Sequence, residues 1–281
     1  MNINSISPDE HKFFQRLENI AKKPDKLQYI GNLPDAGDMV VAIVGTRRPT
    51  SYGRTVTSQI AIALARKGVW TISGMALGVD AIVHSETMGA GGKTIAVLSS
   101  GLDNPYPATN KELARRILLQ GGALISEYEL GHRPRLYDFL FRNRLVSGLA
   151  DALIVTEANI RSGTLSTVTR ALEQGKPVYV VPGPITSPLS AGCNALIAQG
   201  ASPIVSVDGL LEQLGIASTQ KIAHGDNDEE TAVIKLLQGG MNDGDDIQIA
   251  TGFPVTIVSQ TLTMLEIKGV VTALGGNKWR L

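Results

Sequence analysis

The sequence predicts an α/β fold built on a doubly wound, mostly parallel sheet. Short apolar runs alternate strictly with amphipathic stretches, most of those stretches stop at or near a glycine, and several runs end in small polar residues that lead directly into a helix. The chain opens with Ser7-Pro8-Asp9-Glu10, which combines an N-cap serine, proline at the first helical position and glutamate three residues after the cap. With Phe13, Phe14, Leu17 and Ile20 following, this predicts a helix over 8–21 and a helical lead-in over 1–37. Buried strands are expected at 39–44, 69–72, 94–98, 123–126, 152–156, 178–181 and 203–205, with helices between them at 53–67, 79–88, 111–120, 139–149, 164–174 and 194–199. Glycines 68, 89, 121 and 175 supply helix stops. This order is Rossmann-like over 38–216, and in such sheets ligands bind at the carboxyl ends of the strands.

Beyond Leu214 the character changes. Residues 217–228 are polar and acidic and read as a linker. Helical spacing at 231–237, 246–251 and 255–267, then Gly269–Leu274, Gly275-Gly276 and Lys278-Trp279-Arg280 as a hairpin, give the order of a small winged-helix-like domain over 229–281.

Composition is ordinary for a globular chain: 281 residues, 43% apolar and 19% charged, with 26 Lys and Arg balancing 26 Asp and Glu. The balance conceals an asymmetry, since residues 1–224 hold 22 basic and 18 acidic side chains and residues 225–281 hold four and eight. The single cysteine, Cys193, excludes an internal disulfide and a thiolate metal cage. No apolar run approaches the ~20 residues of a membrane helix and no signal-like leader opens the chain, so a cytoplasmic protein without membrane attachment is expected.

The strand-end loops carry the functional signal. After the first strand, Gly45-Thr46-Arg47-Arg48-Pro49-Thr50-Ser51-Tyr52-Gly53 feeds a helix, and its glycines, helix-start amides and arginines suit a phosphate. Its spacing matches neither G-x-G-x-x-G nor G-x-x-x-x-G-K-S/T, which argues against a dinucleotide or a Walker nucleotide, and no cofactor is expected. Asp80 and His84, one helical turn apart after Ser73-Gly74, lack a third ligand nearby; a local Asp–His hydrogen bond and no metal are expected. Between positions 133 and 144 lie Arg133, Arg135, Arg142 and Arg144, interleaved with Tyr137, Phe139 and Phe141 and accompanied by one acid, Asp138. Guanidinium groups beside aromatic faces are a physical means of holding single-stranded nucleic acid. The plainer alternative makes Phe141 and Leu145 core and pairs the arginines with Asp138, Asp151 or Glu157. Ser162-Gly163-Thr164 forms a further anion nest. Several phosphate-sized sites along one sheet edge suit a polymer better than a small molecule.

Val41-Ala42-Ile43-Val44-Gly45-Thr46-Arg47, Ser73-Gly74-x-Ala76-x-Gly78-Val79-Asp80-x-x-x-His84, Tyr106-Pro107-x-x-Asn110, Ser126-Glu127, Phe139-x-x-Arg142-Asn143-Arg144, Ser162-Gly163-Thr164, Val181-Pro182-Gly183-Pro184 and Gly192-Cys193-Asn194 follow one another in an order that closely resembles the DNA-processing protein A (DprA/Smf) family. The resemblance runs from about Asn32 to Leu214, and the tail is similar to the winged-helix module of many members. It implies a protein without catalytic activity that binds single-stranded DNA, forms a homodimer and loads the RecA recombinase on incoming strands during natural transformation. Carried over by position, Phe139 stacks on a base, while Arg47, Arg142, Arg144 and the backbones of Ser73-Gly74 and Ser162-Gly163-Thr164 hold phosphates; Gly45, Thr46 and Asn143 complete the expected site. Tyr128 and Leu140 stand where the family commonly has proline.

Two rival readings are weaker. Nucleotide phosphoribohydrolases of the lysine-decarboxylase-like group carry P-G-G-x-G-T-x-x-E, and here Thr167 occupies the place of the catalytic carboxylate; a hydroxyl cannot serve as a general base near neutral pH. A winged-helix transcription factor would read bases through the segment 254–268, which offers Gln260 and little positive charge. The tail is therefore expected to be an interaction or regulatory module.

Overall fold

A computed structural model describes residues 3–216 and 225–281, and the chain divides into two compact units, Met1–Ala217 and Ser218–Leu281. Most of the expected linker, residues 217–224, lies outside the described residues.

In the first unit two strands that the sequence does not announce, β1 (Asn4–Ile6) and β2 (Leu27–Gly31), precede the seven that arise at the apolar runs, β3 (Val40–Val44), β4 (Trp70–Ser73), β5 (Thr94–Val97), β6 (Ala123–Ser126), β7 (Ala152–Val155), β8 (Val178–Val180) and β9 (Ser202–Pro203). Among the described residues they form one sheet in the order β1-β2-β6-β5-β4-β3-β7-β8-β9. From β6 to β9 every pairing is parallel, while β1 and β2 are antiparallel additions at one edge. Helices α1 (Ser51–Arg66), α2 (Val79–Gly89), α3 (Lys111–Leu119), α4 (Leu136–Leu149), α5 (Thr164–Glu173), α6 (Ala191–Ala198) and α7 (Val207–Gln213) link and cover the strands.

Alternation along β3 explains why its sequence is apolar throughout. Val40, Ala42 and Val44 join Leu145, Leu149 and Val168 in a core under α4 and α5, whereas Val41 and Ile43 join Ile60, Leu64 and Val83 under α1 and α2. A strand buried on both faces has no polar side to show. The chain order along the sheet reverses at β3, whose neighbours are β4 on one side and β7 on the other. Loops leaving β3 and β7 therefore part to opposite faces and leave a crevice at their carboxyl ends, which is where doubly wound sheets bind ligands.

The expected helix over 8–21 is not formed. Ser7 does receive the reciprocal cap, its N–H donating to Glu10 Oε2 at 2.9 Å, but the segment consists of two short 3-10 turns, Pro8–Glu10 and Phe14–Leu17. Phe13, Phe14 and Leu17 are fully buried, and Phe14 meets Tyr29 of β2 edge-on at 5.7 Å. Packing onto the added edge strands overrides the local helix signal. Helix α4 begins at Leu136, earlier than expected, because Asp138 accepts the Arg135 N–H at 2.7 Å and closes the first turn.

The second unit contains α8 (Asp228–Gln238), α9 (Gly244–Thr251), α10 (Val255–Ile267) and the hairpin β10 (Thr272–Gly275) and β11 (Lys278–Arg280). Val233, Ile247, Val258, Leu262 and Leu265 form its own core, and the arrangement is a winged helix.

Candidate nucleic-acid interface

A cavity of about 540 Å³ occupies the crevice between the β3 and β7 loops, with α4 as its floor. Gly45, Thr46, Arg47, Gly74, Phe139, Arg142, Asn143, Ser162, Gly163 and Thr164 line it, so tertiary structure brings together ten of the residues expected from sequence. Ser73 and Arg144 are not part of the lining.

The rim is positive and accessible. Arg47 and Arg161 are exposed, and the Arg47 guanidinium lies 5.3 Å from the centroid of the half-buried Phe139 ring, whose other neighbour is Tyr106 at 5.6 Å. Arg161 is a site residue that the sequence reading misses, although it adjoins the expected Ser162-Gly163-Thr164 nest. At that nest Ser162 Oγ accepts the Thr164 N–H at 3.1 Å, and the Thr164 hydroxyl donates to the Gly45 carbonyl at 3.1 Å, tying the two loops together. Gly163, exposed at the start of α5, has only Leu140 Cδ2 near the position of a Cβ, at 3.7 Å. The expected nest is corrected in part: the Ser162 N–H donates to the Asn159 carbonyl at 3.1 Å and the Thr164 N–H is held by Ser162 Oγ, so the open face at the positive start of α5 is Gly163.

The other helix start differs. Glu157 is buried and accepts the Thr50 N–H at 2.9 Å and the Thr50 hydroxyl at 2.7 Å, and a side chain on Gly53 would collide with its carboxylate. The Thr46 N–H is also taken, donating to the Glu157 carbonyl at 2.8 Å. The phosphate site expected at the start of α1 is therefore corrected: a carboxylate of the chain itself fills it. Arg47 remains available because its side chain leaves this loop for Phe139.

On the floor, Arg142 is buried and donates to the carbonyls of Gly74 and Val97. Its Nε is buried without a partner, and Asp80, across the same cavity wall, offsets part of the cost that burial imposes on the guanidinium charge. Gly74 has no room for a Cβ because the guanidinium occupies that space. Its N–H and that of Ala76 donate to Asp80 Oδ2, both at 3.1 Å. The expected role of Ser73-Gly74 is corrected accordingly: the Ser73 hydroxyl donates to the Ile43 carbonyl at 2.7 Å, the Gly74 amide is spent on Asp80, and the segment seats Arg142 instead of a phosphate. Burial raises the Asp80 carboxyl above its ordinary range, while Arg142 and the two amides act in the opposite direction.

The Asp80–His84 hydrogen bond is not formed either. Asp80 turns back to the loop, and His84 Nδ1 pairs with Thr94 Oγ1 at 2.7 Å. Burial, with Arg142 adding to it, pushes the His84 imidazole down to about 3, which keeps it neutral.

Arg144 is the clearest correction. It is buried, its guanidinium grips both oxygens of Glu127 at 2.8 and 2.6 Å, and its Nε donates to the Lys22 carbonyl at 3.0 Å. No donor is left facing the cavity for a phosphate. Glu127 was visible in the sequence, seventeen positions away, but nothing local announced the pairing.

Fold and site define a doubly wound α/β protein with an arginine-rimmed cavity at its topological switch point and an appended winged helix. A family model for DNA recombination-mediator protein A matches residues 4–215, and one for the DprA winged helix domain matches 217–277. The chain belongs to the DNA recombination-mediator protein A family. A DNA processing protein DprA of Mycobacterium tuberculosis is 37% identical over 258 residues, covering 89% of this chain, and the chain spans 66% of that relative's length. Protein Smf of Escherichia coli is 33% identical over 291 residues, covering 100% of this chain and 78% of its own. Among solved structures, DNA processing protein A of Streptococcus pneumoniae aligns with a TM-score of 0.70 at 36% identity, covering 76% of this chain and 75% of its own. The Helicobacter pylori protein, described for its single-stranded DNA binding mode, aligns with a TM-score of 0.67 at 32% identity, covering 76% and 96%.

Proposed function

We propose that the cavity and its rim hold single-stranded DNA without altering it, and that the protein mediates recombination by loading a RecA-type recombinase on strands entering during natural transformation. The observation that carries this reading is the Phe139 ring, half-exposed beside a cavity whose rim bears the exposed Arg47 and Arg161. An aromatic face takes any base, and exposed guanidinium groups take the backbone. The single-stranded DNA mode described for the H. pylori protein supports the same reading. Phosphates would lie at Gly163, Arg47 and Arg161, while Thr164, whose N–H and hydroxyl are both donated within the chain, and the buried Arg142 would shape the site from below. Gly45, Thr46, Asn143 and Ser162 would shape the cavity walls. Binding falls to the domain over 38–216 and an interaction role to the domain over 229–281, and a homodimer would place two such sites on one strand and raise avidity.

Catalysis is disfavoured because Thr167, in the cavity lining, stands where a phosphoribohydrolase needs a carboxylate. Titration of labelled oligo-dT and of duplex of equal length at two salt concentrations tests the proposal. Preference for the single strand is expected, with a log–log salt slope of about −1.4 for two rim arginines at ~0.7 each. Equal or tighter duplex binding would overturn it, and turnover of a nucleoside monophosphate would move the protein to the enzymes.

A further inference from the structure

We infer that the bound strand does not end at the cavity but crosses the first turn of α4 onto a second stacking platform, the outer face of Tyr137. The inference rests on the reading of the cavity as a single-strand site and extends it by one binding subsite.

Tyr137 and Phe141, one turn apart on α4, stack with centroids 5.5 Å apart and planes 23° from parallel. Tyr137 is 61% exposed, so its outer face is free, while Phe141 below it is half-buried. The pair is fixed from beneath. The Arg144 guanidinium lies 3.8 Å from the Phe141 centroid and is itself immobilised by Glu127. Arg144 therefore acts as the support of an aromatic surface, which accounts for a buried cation that no phosphate can reach. The same arginine holds the Lys22 carbonyl, and Lys22, at a left-handed φ of 57°, places its ammonium 5.8 Å from the Phe141 ring. A non-glycine residue in that region costs about 1 kcal/mol or more and persists where its surroundings impose it.

Helical geometry says how a strand would reach this platform. At 3.6 residues per turn, Phe139 and Tyr137 lie about 160° apart around α4, and Leu136 falls between them on the shorter path. Leu136 is 87% exposed although it opens the helix. Helix α4 is roughly 10–12 Å across, so a strand passing over its first turn would meet Phe139, Leu136 and Tyr137 in succession. The surrounding charge suits a polyanion. Lys22, Arg133 and Arg135 are exposed there, while Glu127 is neutralised by Arg144, and Asp138 is capped by the Arg135 N–H and His132 at 2.7 and 2.9 Å.

The test is affinity as a function of oligo-dT length, measured on the full chain. For wild type, affinity should rise in a step once the oligonucleotide outgrows the cavity. Tyr137→Ala should abolish that step, a loss of roughly 5- to 100-fold for the longer strands, and leave the shortest bound strand unaffected. Tyr137→Phe should retain the step, and Lys22→Ala should flatten the salt slope by about 0.7 for long strands alone. Phe139→Ala should weaken binding at every length. If Tyr137→Ala matches wild type throughout while Phe139→Ala does not, the second platform is wrong and the cavity stands. If neither matters, the cavity reading itself fails. Equal weakening of short and long strands, or a changed oligomeric state, would show that Tyr137 acts through α4 or in a protein interface, and either result overturns the inference.

Discussion

Arg142 and Arg144 on α4 and Arg47 and Arg161 on the cavity loops divide by burial. Arg142 and Arg144, on α4, are shut away under hydrogen bonds to carbonyls and a carboxylate, whereas Arg47 and Arg161, on the loops after β3 and β7, are exposed. Arg142 shapes the cavity floor, Arg144 braces the Phe141 ring outside the lining, and the second pair stands exposed at the rim. A guanidinium in water can exchange its hydration for a phosphate, but one already paired in a low-dielectric interior would have to give up partners that cost several kcal/mol to lose. The local density of cations on α4 is thus a statement about architecture, and the sparser cations on the loops are the ones available to a ligand.

The largest expected effects come from the buried arginines and appear in stability. Arg142→Ala would leave the Gly74 and Val97 carbonyls unmet and Asp80 without its neighbouring cation; Arg144→Ala would strand Glu127. Each should cost about 3–5 kcal/mol, seen as an earlier denaturant midpoint. Removing both members of the second pair, Arg144→Met with Glu127→Leu, should restore most of the loss, and a failure to do so would mean that the pair contributes more than charge cancellation.

The rim should behave in the opposite way. Phe139→Ala is expected to weaken oligo-dT binding by about 1–3 kcal/mol for each base it stacks, with little change in midpoint. Arg47→Ala and Arg161→Ala should be smaller again: stability within about 0.5 kcal/mol of wild type, and a salt slope flattened by about 0.7 in each case. A rim variant that unfolds the protein, or a variant of a buried arginine that alters only the salt slope, would break the distinction. The smallest change is expected from a chain ending at His224, since each unit has its own core and the acidic tail offers few cations; loss of nearly all single-strand affinity would assign the grip to the winged helix instead.

Much of this was legible in the residues. The strands from β3 to β8 follow from apolar runs too short for helices, and α10 was delimited at both ends by Pro254 and Gly269. Strand β2 was not, because Leu27–Gly31 acquires its identity from pairing with Ala123–Ser126, far away in the chain. Helix α7 is likewise weakly signalled: Ser206 Oγ accepts the Gly209 N–H at 3.0 Å as its cap, but the segment is only seven residues long. At the site, motif and loop position name ten residues that line one cavity. The exceptions were decided by partners that no local pattern reveals: Glu127 for Arg144, Glu157 for the start of α1, and Thr94 in place of Asp80 for His84.

Periodicity, capping and glycine placement act within a few residues, so the order of elements, the direction of the sheet and the loops at its carboxyl edge could be read from the chain alone. Which charges remain free is a different kind of quantity. It depends on desolvation and on carboxylates and carbonyls brought close by folding from distant positions, and only tertiary structure decides that Arg142 and Arg144 of α4 are spent on the protein while Arg47 and Arg161 on the loops stay exposed.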